Sequence, residues 1–116
     1  MEPERRYAHF VKRVADWGQV WSLRTETGWV TAGVENSEPC LPVWPHRKYA
    51  ELCANGAWVD AHPEPIEIHG FVERWLPGMT KDKLSVAVFP TPTMNGAVVS
   101  PLVLLAALKT ELESIE

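Results

Sequence analysis

Ten prolines are spread along this 116-residue chain, and they limit its possible folds more than any other feature. Proline has no backbone N–H to donate and a fixed φ, so it opens or ends helices and keeps to the margins of sheets. Pro3 suits the first turn of a helix, and Tyr7, Phe10, Val11 and Val14 follow at helical spacing. A helix is predicted over residues 4–17, with Gly18 as its stop and Arg5, Arg6, His9, Lys12, Arg13 and Asp16 toward solvent. At the other end, Ser100 caps and Pro101 opens a last helix, with Leu104, Leu105, Leu108, Leu112 and Ile115 as its core stripe.

Between these helices the elements are short. Residues 19–25 and 29–34 alternate as strands and form a hairpin around Glu26-Thr27-Gly28. Glu35-Asn36-Ser37-Glu38 reads as a polar turn. Residues 40–45 are extended but hold Pro42 and Pro45, which predicts an edge or short strand. A helix over 46–54 turns Tyr49, Leu52 and Cys53 inward and stops at Gly56. Pro63 and Pro65 make residues 58–65 irregular, and residues 66–68 a short strand. A helix over 69–76 buries Phe71, Val72 and Trp75 and ends at Pro77-Gly78. Residues 84–89 are apolar on both faces, as in a central strand, and Asn95-Gly96 turns the chain into residues 97–100. The expected fold is α+β, one domain over residues 1–116. It has a mixed, mainly antiparallel sheet of about five or six strands packed by about four helices.

Charge narrows the function. Fifteen Asp and Glu against eleven Lys and Arg leave a net charge of −4, which argues against a general nucleic-acid binder. The N-terminal residues form no apolar leader, and the longest apolar run, residues 97–108, is broken at Ser100-Pro101 and too short to span a membrane. A cytoplasmic protein with two free thiols, Cys40 and Cys53, is expected.

The chemistry-bearing residues mostly admit a structural reading. A nucleophilic cysteine needs a nearby base, and His46, His62 and His69 are the candidates. Cys53 reads as a buried thiol, while Cys40 precedes the proline-bearing strand. Asp60-x-His62 and His69-x-x-x-Glu73 are isolated pairs without zinc-site spacing, so no metal or cofactor is expected. Glu64 with Glu67, and Glu35 with Glu38, read as solvated loop charges rather than an acid–base pair. Arg47 and Lys48 open the second helix and offer a weak attraction for an anion. The cluster Arg5, Arg6, Lys12 and Arg13 reads as a solvated helix face.

Six tryptophans remain. Trp21, Trp29 and Trp75 fit core positions, whereas Trp44 and Trp58 lie near segment ends. Tryptophan fills cores and also anchors interfaces. Trp44-Pro45-His46-Arg47 is therefore a candidate binding corner, with Trp58 beside it, and core packing is the other reading of Trp44.

The blocks Leu41-Pro42-Val43-Trp44-Pro45-His46-Arg47-Lys48-Tyr49-Ala50 and Val88-Phe89-Pro90-Thr91-Pro92 resemble the bacterial family called domain of unknown function 2750. The resemblance runs from about Tyr7 to Leu112 and includes the segment Phe71-Val72-Glu73-Arg74-Trp75-Leu76-Pro77. It implies no catalytic set. A fainter resemblance, to the N-terminal domains of bacterial proteins tied to serine sensitivity or secretion, concerns fold alone. Two functions are carried forward. The first is a non-enzymatic module that binds another protein, as a regulatory partner, an immunity-type protein or a self-associating chain. The second is a small hydrolase or transferase using Cys40, or His62 with Asp60.

Overall fold

Pleat and proline placement together decide how the sheet is assembled. The computed structural model describes residues 3–32, 39–90 and 97–115. The predicted turns at Glu35–Glu38 and Asn95-Gly96, and the side chain of Ile115, lie outside the described residues. Strands β1 (Gln19–Thr25), β2 (Gly28–Trp29) and β4 (His62–Glu67) form an antiparallel sheet in the order β2-β1-β4. Strands β3 (Cys40–Val43), β5 (Ser85–Val88) and β6 (Ala97–Val99) form a second sheet, with β3–β5 parallel and β5–β6 antiparallel. Trp21 and Trp44 exchange backbone hydrogen bonds of 2.9 and 2.8 Å, and Ala32 and Cys40 exchange two of 2.8 and 2.7 Å. The strands expected in one sheet are thus two three-stranded sheets stitched along a seam.

That seam decides between the alternatives for residues 40–45 and explains one departure from expectation. Residues 40–45 hold a short strand, the four-residue β3, rather than an edge, because β3 lies between β5 and the seam. Cys40 and Trp44 direct their N–H and C=O groups toward the seam, so Pro42, two residues from each, faces the same way. No ladder donor is needed there, and Ser22 Oγ donates to the Pro42 carbonyl at 2.7 Å. Residues 62–67, expected to be largely irregular, form a full edge strand paired with all but the last residue of β1. Trp21 and Leu23 hydrogen-bond on the side away from β4, so their partners Pro65 and Pro63 stand at positions that donate nothing to β1. Prolines at alternate residues satisfy an edge strand and block further pairing.

Helix α1 (Pro3–Trp17) has the predicted span, and Gly18, at φ 73°, sends its N–H to the Val14 carbonyl at 2.9 Å. Phe10, Val11 and Val14 are buried as expected, but so is Arg6, at 4 % exposure. Helix α1 packs against α5 (Pro101–Ile115) and both sheets, and an arginine can bury its apolar stem on such a packed helix. Helix α2 (Arg47–Cys53) buries Ala50 and Cys53, whereas Tyr49 and Leu52 are exposed. In a helix this short the inward arc is one turn wide, so only an i, i+3 pair reaches the core.

Pro77 does not end its helix. The chain continues as α3 (Ile68–Gly70), a π-helical turn (Phe71–Trp75) and α4 (Leu76–Lys81). The Leu76 N–H reaches back five residues to the Phe71 carbonyl. This wider turn relieves the clash a proline ring makes with the carbonyl four residues earlier. Strand β5 is central and buried, as expected, and Ser100 Oγ accepts the Val103 N–H at 3.2 Å to cap α5. Phe10, Val14, Leu23, Trp44, Phe71, Leu104 and Leu108 meet in one core.

Candidate functional site

The π-helical turn sets the register of the helix surface that follows it. Arg74, Gly78 and Asp82 fall four residues apart along one stripe, with Trp75 and Met79 on the adjacent one. Trp29 at the end of β2, Leu41 in β3 and Leu84 before β5 face this surface. Together with Thr31 they enclose an open cleft of about 480 Å³. Its most prominent feature is a perpendicular tryptophan pair: Trp29 and Trp75 meet edge to face, 4.9 Å between ring centroids at 86°. The Arg24 guanidinium lies over the Trp29 ring, 5.3 Å from its centroid, and braces that wall.

Two glycines shape the rim. At Gly78 an added Cβ would meet nothing within 4 Å, so this residue is a gap between Arg74 and Asp82. At Gly70 an added Cβ would stand 2.7 Å from a terminal nitrogen of Arg74, so the guanidinium lies back across bare backbone. Among the described residues neither Arg74 nor Asp82 makes an ion pair. The start of this helix is firmly tied. Glu67 accepts the N–H groups of His69 at 2.6 Å and Gly70 at 3.2 Å, and meets His69 Nδ1 at 2.8 Å. The His69 N–H is the main cause of a Glu67 pKa below the usual carboxylate value.

The corner expected from the sequence is built differently. Trp44 is fully buried and donates its indole N–H to the Pro90 carbonyl at 2.7 Å; Pro45 is buried too. Trp58 is half-buried, edge to face with Trp44 at 6.4 Å. From the predicted set Arg47 is exposed, and His46 and Trp58 reach solvent in part. His46 Nδ1 accepts the Lys48 N–H at 3.1 Å, and Arg47 pairs with Glu51 at 2.7 Å. The Arg47 charge is thus balanced by a carboxylate on the next turn, and one N–H of the helix start is already capped. Trp17, which the sequence reading passed over, stands 48 % exposed here, edge-on to His46 at 5.6 Å with Arg13 over its ring.

The nucleophile candidates are dispersed. Cys53 is buried and directs its Sγ to the Pro90 carbonyl at 3.5 Å, and burial pushes its thiol pKa up, away from thiolate. Cys40 and His62 lie on strands to either side of β1, and His62 Nε2 is 3.0 Å from Glu64 Oε1. Asp60 is exposed near Thr25, Glu26 and Thr27. His69 pairs with Glu67 rather than Glu73. No three His, Cys, Asp or Glu side chains gather as a metal site among the described residues. No helix among them is long and apolar enough to cross a membrane.

A model of one family, Protein of unknown function (DUF2750), matches residues 7–108. The chain belongs to that family. The match spans every lining residue of the cleft as well as the Trp44 corner, so both are features of the DUF2750 domain as this chain carries it. No curated protein matches the chain.

Proposed function

We propose that this DUF2750 chain is a non-enzymatic protein-binding module whose working surface is the Trp29–Trp75 cleft. One observation carries the reading: two half-buried indoles wall an open, mainly apolar cleft whose rim holds a cation, Arg74, and an anion, Asp82, neither in an ion pair among the described residues. Aromatic side chains around a concave centre, ringed by polar groups, are the usual make-up of an interaction hot spot. The raised Cys53 thiol and the strand between Cys40 and His62 give the hydrolase reading no comparable support.

Gly78 makes the experiment clean. Leucine there projects into empty space on a helix and replaces a poor helix former, so Gly78→Leu fills the cleft without unfolding the chain. Wild type, Gly78→Leu and Arg47→Ala serve as parallel baits in host lysate. Each retained protein is then purified and its binding remeasured. The expected partner binds wild type and Arg47→Ala and loses Gly78→Leu. A partner lost only by Arg47→Ala would move the surface to the α2 corner and overturn the assignment.

A further inference from the structure

The rim carries more information than the cleft's apolar lining. Gly78 stands four residues after Arg74, and Asp82, just past the end of α4, bonds its N–H to the Gly78 carbonyl at 3.0 Å. The Gly78–Asp82 step therefore keeps the α-helical spacing of about 6 Å between Cα atoms, and Arg74 stands one similar step before Gly78. In an extended chain, side chains two residues apart point the same way and stand about 6.6 Å apart. The two backbone spacings match over a five-residue segment. The Arg74 guanidinium, folded back over Gly70, lies at the far end of that rim from Asp82, where a flanking side chain must extend to meet it. A side chain entering at the Gly78 gap reaches Trp75, Met79 and Trp29, while its neighbours two positions away on either side come over Arg74 and Asp82. Both charges are exposed and among the described residues lack an ion-pair partner, so each is available to an opposite charge.

We propose that the cleft accepts an extended protein segment in which a large apolar residue is flanked, two positions to each side, by one acidic and one basic residue. The acidic residue meets Arg74, the apolar one passes the Gly78 gap, and the basic one meets Asp82. The proposal rests on the protein-binding reading above and names the chemistry of the partner. Peptide affinity comes from the apolar anchor, and the flanking charges set register and direction.

The probe is the blocked peptide acetyl-Glu-Ser-Leu-Ser-Lys-amide at millimolar concentration, read by the indole N–H signals in nuclear magnetic resonance. Trp29→Phe and Trp75→Phe assign the two relevant signals among the six indoles. Saturable shifts are expected at Trp29 and Trp75. Replacing the central leucine by alanine weakens binding about tenfold or more. Gly78→Leu abolishes it. Arg74→Glu weakens it, and a peptide with lysine in place of glutamate restores it to the variant. No shift with the folded wild type, or shifts that persist in Gly78→Leu, would overturn the proposal. So would binding of free leucine without binding of the blocked peptide, since the occupant would then be a small zwitterion. If lysate partners are lost by Gly78→Leu while the peptides do not bind, the protein-binding reading stands and only the segment pattern falls.

Discussion

Two tryptophan pairs in this molecule share nearly the same geometry and have opposite surroundings. Trp44 and Trp58 meet at 85°, and Trp29 and Trp75 at 86°. In the first pair Trp44 has no exposed surface, and its indole N–H is satisfied by Pro90. In the second pair both rings are half-buried and line an open cleft. Edge-to-face contact therefore does not distinguish a structural tryptophan from a binding one. What distinguishes them is whether neighbouring elements close over the rings. At Trp44, β1, β5 and α2 converge on the corner. At Trp75, the glycine at position 78 leaves the helix surface bare.

The largest expected effect is at the buried pair. Trp44→Ala removes a core side chain and leaves the Pro90 carbonyl with Cys53 alone, which costs about 3–5 kcal/mol of stability. Trp75→Ala costs less than half of that, because one side of the ring already faces solvent. Urea denaturation of both variants checks the contrast, and equal losses would break it.

The seam that closes the Trp44 corner is tested by Ser22→Ala. It leaves the Pro42 carbonyl unpaired in the core and costs about 1–3 kcal/mol. A neutral result in the same denaturation assay would show that Pro42 finds another donor.

On the cleft side the sign reverses. Gly78→Ala adds a methyl into open space on a helix and raises stability by about 0.5–1 kcal/mol. A loss of stability would mean that the helix surface at this position is already covered.

The smallest effect is one of pH. Burial against Phe89 first, and the charge of Arg13 second, hold the His9 pKa below its ordinary 6.5. The unfolded chain then binds a proton that the folded chain does not. His9 therefore lowers stability as pH falls from 6.5 through its folded-state pKa, and has no such effect above that range. Glu67 acts with the same sign, below its ordinary 4.5. Melting temperature against pH should show a shallower decline below 6.5 in His9→Gln than in wild type.

Local chemistry was legible in the sequence wherever one element decided the outcome. Helix α1, its glycine stop, the Ser100–Pro101 start of α5 and the doubly apolar β5 follow from periodicity and capping, which act within a few residues. Proline's incompatibility with ladder bonds is a property of the sequence and is compatible with the short strand at Pro42, but the irregular segment expected around Pro63 and Pro65 is a regular edge strand. Pro42, Pro63 and Pro65 sit in strands because each faces a side where no N–H is required, and that depends on which strand lies beside it. Pro77 continues a helix because a wider turn precedes it, and neither residue alone announces that turn.

The functional surface divides in the same way. The abundance of tryptophan and the presence of Arg74, Gly78 and Asp82 at helical spacing are properties of the sequence. Only tertiary structure decided that Trp44 is sealed and that Trp29 reaches Trp75, forty-six residues away, across an open cleft. Burial is a property of what packs on a residue, and for both tryptophan pairs those neighbours come from distant parts of the chain.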